Sequence, residues 1–113
     1  MSENCLFCKI VRGEIPSTRV AESETMLAFR DVNPQAPVHV LVIPKKHVAS
    51  LAVADDASML SDLLSFAASV ARSEGIEKPG YRVVANTGPD GGQTVDHLHL
   101  HVLGGRHMTW PPG

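Results

Sequence analysis

The chain has 113 residues, 43% of them apolar, with a formal charge of −2 at neutral pH and a mean hydropathy near zero. That length suits one domain with a real core and leaves no room for a second. The charge gives no basic footprint for a nucleic-acid polymer, and no apolar run approaches the roughly 20 residues of a membrane span.

The opening Met1-Ser2-Glu3-Asn4 lacks the basic start and apolar stretch of a secretory signal, so the cytoplasm is the expected compartment. In a reducing cytosol the two cysteines, Cys5 and Cys8, read as a metal-binding or redox pair before they read as a disulfide. Residues 5–15 space Leu6, Phe7, Ile10 and Val11 as one face of a short helix, which Gly13 and Pro16 stop. Residues 18–22 and 26–30 read as a hairpin turning at Ser23-Glu24. Residues 31–37, with Pro34 and Pro37, form a loop. Residues 38–43 are a nearly continuous apolar run holding His39, the pattern of a central strand covered on both faces. Pro44 ends it, and Lys45-Lys46-His47 is a polar exit.

Residues 58–74 are the one long helix, with Met59, Leu60, Leu63, Leu64, Phe66, Ala67, Val70 and Ala71 as its apolar stripe. Asp55-Asp56 suit its start and Gly75 its end. Residues 81–86 are a further strand, and residues 87–94 form a glycine-rich loop. That loop runs directly into 96–103, read as a strand in which His97, His99 and His101 share one face, opposite Leu98, Leu100 and Val102. The tail, 104–113, is irregular, yet it carries the only tryptophan, Trp110. Five strands with one long and one short helix, joined by short connections, predict an α+β fold on an antiparallel sheet.

Three of the six histidines stand in strict alternation, about 6.5–7 Å apart along a strand. Packing gives no reason for that, whereas imidazoles serve as nucleophiles, proton carriers and metal ligands. A glycine-rich loop before them can bring backbone N–H groups to an anion, and Asn86, Gln93 and Thr94 can add donors. Together these suggest chemistry at phosphorus: His99 attacks and His101 contacts the leaving group. Two metal readings stand beside it. Histidines on the strand can hold a catalytic zinc; alternatively Cys5, Cys8, His47 and His97 can close a structural Cys2His2 site.

The segment His97-Leu98-His99-Leu100-His101-Val102-Leu103 resembles the signature of the histidine-triad (HIT) family of nucleotide hydrolases and transferases. The likeness runs on through 29–31, 34–39, 41–47, 90–93 and the ending 104–113, and is nearest to the Hint branch. It implies a HIT domain over 1–113 and a homodimer whose two sheets join, with the tail 104–113 reaching toward the partner. It implies hydrolysis of purine nucleoside 5′-phosphoramidates through a nucleotidyl-His99 intermediate, assisted by His101 and His39. Asn86, Gly92 and Thr94 match phosphate-contacting positions, Asp31 matches the ribose-binding carboxylate, and Phe7, Ile10, Phe29 and Val32 match the base slot. Bacterial-type members with a C-x2-C pair hold zinc through residues matching Cys5, Cys8, His47 and His97. Two alternatives remain: a dinucleoside polyphosphate hydrolase, and a nucleotide-binding regulatory or scaffold protein.

Overall fold

The computed structural model describes residues 4–113. Five strands, β1 (Arg19–Glu22), β2 (Met26–Arg30), β3 (Val38–Pro44), β4 (Tyr81–Val84) and β5 (Leu100–Gly104), form one sheet in the order β1-β2-β3-β5-β4. Every neighbouring pair is antiparallel. The helices α1 (Leu6–Val11) and α2 (Ala57–Ser73) complete the predicted α+β set, with one 3-10 turn at Leu51–Val53.

Side-chain parity sorts the sheet into two faces. Met26, Ala28, Val40, Val42, Leu98, Leu100 and Val102 pack on Leu63, Ala67, Val70 and Ala71 of α2. Leu27, Phe29, Leu41 and Ile43 point the other way, onto Cys5, Phe7, Cys8 and Ile10 around α1. β3 sits at the centre, nearly all of it buried, as its apolar run predicts. The triad's odd-numbered positions therefore fall on the α1 face, and that is where the chemistry collects.

Both helices are bounded by local signals. The Asp56 carboxylate caps α2 by accepting from the Met59 N–H at 3.1 Å. At the other end the Gly75 N–H donates to the Arg72 carbonyl and the Ile76 N–H to that of Ala71, with Gly75 at φ +76°. This is the paired bonding of a Schellman motif, and it turns Ile76 into the core. α1 ends in the same way at Gly13, through bonds to the Ile10 and Lys9 carbonyls. The N-cap of α1 is Cys5, whose sulfur accepts from the Cys8 N–H.

Three expectations need correction. β5 begins at Leu100 rather than at residue 96. Its register pairs Val42 with Leu100, so Pro44 would face Leu98; lacking an N–H, Pro44 cannot extend the ladder. The Leu98 N–H turns instead to the Val48 carbonyl at 2.6 Å. β4 ends at Val84, two residues short of the expected end. Leu64 does not belong to the core stripe of α2: it is 58% exposed, while Leu63 beside it is buried.

Gly104 closes β5 against α2's exit. A Cβ there would stand 2.7 Å from the δ-methyl of Ile76, itself buried. Gly104→Ala is therefore expected to lower stability by about 1–3 kcal/mol through overpacking, read as a lower denaturation midpoint with an unchanged denaturant slope.

Candidate active site and metal-ligand cluster

The loop after β2 and the side chains of the α1 face surround a cavity of about 380 Å³. Phe7, Ile10, Phe29 and Leu41 give it an apolar wall, Asp31, Thr94, His99 and His101 its polar groups, and Val32 lies on its rim, 99% exposed. The sheet brings His39, His99 and His101 together although the first lies 60 and 62 positions before the others: His39 Nε2 lies 2.9 Å from His101 Nδ1, and the rings of His99 and His101 are 5.0 Å apart.

The partners of each ring fix where its proton sits. His39 Nδ1 accepts the Gln35 N–H at 3.0 Å. The neutral ring therefore carries its proton on Nε2 and donates it to His101 Nδ1. His101 in turn must carry its own proton on Nε2. The Asp31 carboxylate lies 3.4 Å from His39 Nε2 and steadies that donor. His99 has the opposite arrangement. Its Nδ1 donates to the His97 carbonyl at 2.7 Å, which leaves the Nε2 lone pair free. Phe7 meets the His99 ring edge-on at 5.1 Å and holds its plane.

Burial holds His101 neutral, its pKa pushed down to about 4; charge on His99 and His39 adds to this and Asp31 opposes it. Burial lowers His39 in the same direction, again opposed by Asp31. Asp31, His39 and His101 lie close enough to be weighed as metal ligands. Ligation through His39 Nε2 would have to displace the proton that the Gln35 N–H keeps there, so the group is a hydrogen-bond relay.

The glycine-rich loop is braced differently from expectation. The N–H groups of Gly92 and Gln93 donate to the Pro89 and Gly88 carbonyls. The Gln93 amide accepts from the Gly88 N–H and donates to the carbonyls of Ala49 and Val95. These groups hold the loop's shape and are not open donors. Gly91 has no space for a side chain, since a Cβ would meet the Thr87 carbonyl. Thr94 is the loop residue that reaches the cavity. Asn86 is half-buried and outside its walls; extending the β4–β5 register would put it level with His99. Trp110 is 81% exposed, on a tail tied down by the Arg82 guanidinium donating to the Thr109 carbonyl at 2.9 Å.

The sequence reading missed Gln35, whose contribution is a backbone N–H that no motif displays. It also missed the His97 carbonyl, for the same reason.

A second cluster lies on the same face. Cys5, Cys8, His47 and His97 each offer one ligand atom, all within 4.8 Å of one another. Cys5 Sγ is 3.3 Å from His97 Nδ1, and Cys8 Sγ is 3.3 Å from His47 Nδ1 and 3.6 Å from His97 Nδ1. Tetrahedral zinc, with bonds of about 2.3 Å to sulfur and about 2.0–2.1 Å to nitrogen, sets S···N separations near 3.6 Å. The donor types and spacing fit Zn²⁺. His97 Nε2 donates to the Pro44 carbonyl at 2.8 Å, so its Nδ1 lone pair faces the thiols, the outer support a ligating imidazole uses. Burial lowers the pKa of His97, which keeps that lone pair available; the bond to Pro44 opposes the shift.

Fold and site together define an α+β protein built around a histidine cluster, with a separate Cys2His2 group able to hold a metal ion. The chain belongs to the HIT family: the HIT domain matches residues 12–108. An uncharacterized HIT-like protein of Synechococcus elongatus is 56% identical over 115 residues, covering 100% of both chains. A protein of Zea mays named 14 kDa zinc-binding protein is 54% identical over 112 residues, covering 96% of this chain and 87% of its own. The crystal structure of a HIT family hydrolase from Legionella pneumophila superposes with a TM-score of 0.95 at 54% identity, covering 97% of this chain and 100% of that one. Among the described residues no helix is long and apolar enough to cross a membrane.

Proposed function

We propose that the protein hydrolyses purine nucleoside 5′-phosphoramidates through a covalent nucleotidyl-histidine. The observation that carries this reading is the opposed pair of imidazoles, an open Nε2 lone pair on His99 beside an Nε2–H on His101. In the first step His99 Nε2 attacks phosphorus and the P–N bond breaks. The departing nitrogen takes the Nε2 proton of His101, and the His39 Nε2–H, bonded to His101 Nδ1, stabilises the imidazolate left behind. In the second step water attacks phosphorus, gives its proton back to His101, and releases His99 and the nucleotide. An amine is a poor leaving group without a proton, so a placed N–H donor has most to offer at a P–N bond. A polyphosphate leaving group needs no such donor, which weighs against the dinucleoside polyphosphate alternative.

Asp31 binds the ribose hydroxyls and Phe7, Ile10, Phe29 and Val32 receive the base, as supported by the way they line one cavity. Asn86 and Thr94 serve the phosphate, with Gly92 and Gln93 bracing their loop. The whole chain works as one HIT domain and pairs with a second copy through the β4 edge. Tyr81, Val83, Leu64 and Trp110, all exposed, support that pairing; in the dimer the tail would reach the partner's site. Zn²⁺ fills the closed four-ligand set and has a structural role, since no ligand position is left open. Elemental analysis of purified protein is expected to give about one zinc per chain.

The test is to incubate the protein with an adenosine 5′-(N-alkyl)phosphoramidate and, in parallel, a dinucleoside tetraphosphate. Release of AMP and amine far faster than cleavage of the dinucleotide is expected. Preference for the dinucleotide would replace this reading with the polyphosphate one. Tight nucleotide binding with neither reaction would favour a regulatory role.

A further inference from the structure

We propose that the Cys5/Cys8/His47/His97 cluster is the positioning centre of the nucleotide cavity: metal held there seats α1, and with it the Phe7 wall, against His99. The proposal rests on the preceding reading only in taking a nucleotide as the ligand of that cavity.

α1 has six residues, too few for a helix to persist on its own propensity. Its two cysteines occupy its first turn, Cys5 as the N-cap and Cys8 one turn on. Between them Phe7 turns its ring to His99 at 5.1 Å and to Phe29 at 5.4 Å, and Ile10 continues the same cavity wall. The residues that would grip the metal and those that would grip the base therefore alternate on one short helix. Without the metal, α1 keeps its apolar contacts and the bond from the Arg19 guanidinium to the Ile10 carbonyl at 2.8 Å. The metal's four bonds are replaced by weak thiol–imidazole contacts of 3.3–3.6 Å between its first turn and His47 and His97.

His97 makes the second connection. Its Nδ1 faces the thiols, its Nε2 donates to Pro44, and its carbonyl takes the Nδ1 proton of His99. The ring that would be fixed by metal thus belongs to the residue whose backbone aims the proposed nucleophile. The cluster can also be reached from outside. A second cavity, about 450 Å³, is lined by Asn4, Cys5, His47 and Asp96 among others, so a chelator has a route to the ligands that does not require unfolding.

The experiment compares the zinc-loaded full chain with the same protein after chelation, using AMP as the probe in equilibrium binding and hydrogen exchange at the backbone amides. Removal of metal is expected to weaken AMP binding at least about tenfold, the loss that follows from an apolar wall no longer being held in place. Exchange should quicken at the amides of Lys9, Arg12 and Gly13, which close α1, while Val40 and Val102 in β3 and β5 stay protected; zinc should restore both. His47→Ala removes the ligand that touches neither Phe7 nor His99 among the ring contacts, and should reproduce the loss at limiting zinc and recover with excess. Unchanged AMP affinity and unchanged exchange in α1 after verified metal loss would overturn the proposal. So would loss of protection throughout β3 and β5, which would make the metal a support of the entire fold. If the loaded protein binds no AMP, the nucleotide reading fails by itself, and exchange in α1 alone decides this one.

Discussion

His99→Asn is expected to abolish turnover of a nucleoside phosphoramidate, with kcat down on the order of 10⁴-fold or more, while the product nucleotide still binds. The size of the loss follows from what the residue does. Among the described residues no other histidine lining this face presents a free lone pair to the cavity: His101 Nδ1 receives the His39 proton, His39 Nδ1 accepts the Gln35 N–H, and His97 is turned to the thiols and Pro44. Asparagine is planar and similar in reach, so it preserves the contact with Phe7 better than alanine would. Its amide has no lone pair able to attack phosphorus. Rapid mixing of the native protein with substrate, followed by an alkaline denaturing quench that preserves the acid-labile P–N bond, should trap one nucleotidyl group per site; the variant should trap none. Turnover by His99→Asn within a few fold of the native rate would remove the covalent mechanism altogether.

Much of the fold was legible because its signals are local. β2 runs over Met26–Arg30, the same residues read as the second strand of the hairpin turning at Ser23-Glu24, and the continuous apolar run of residues 38–43 became the central strand. The capping residues of α2 are Asp56 and Gly75, both visible as helix punctuation. What the sequence did not show depends on neighbours. The shortened β5 follows from Pro44, which lies far away in sequence and opposite in register. Leu64 fits the helical stripe by period, yet α2 turns it away from the sheet.

The candidate site was legible to a similar degree. Alternation placed the triad on one face, but it made three equivalent histidines. Their different roles come from hydrogen bonds to main-chain groups of Gln35, Pro44 and His97, which no side-chain pattern encodes. The glycine-rich loop misled for the reverse reason. Its composition predicts open N–H groups, whereas the folded loop uses those of Gly92 and Gln93 to close upon itself.

His101→Gln should lower kcat by about 10²–10⁴-fold on a phosphoramidate with an alkylamine leaving group. The loss should shrink as the leaving group improves, becoming small for a nitrophenolate that departs without a proton. A purely structural role for His101 would reduce both rates alike. The same variant has a signature in stability. The unfolded chain protonates His101 near pH 6.5, whereas the folded chain resists until about 4. Between those values the unfolded state holds more protons, so stability rises with pH across the window and falls as pH drops through it. Glutamine does not titrate, so the denaturation midpoint of His101→Gln should change less between pH 7 and pH 5 than that of the native protein. Some slope should remain, because burial lowers His39 in the same direction. An identical pH slope in the two proteins would show that His101 is not held neutral by the fold. The proton it is said to lend would then have to come from an imidazolium.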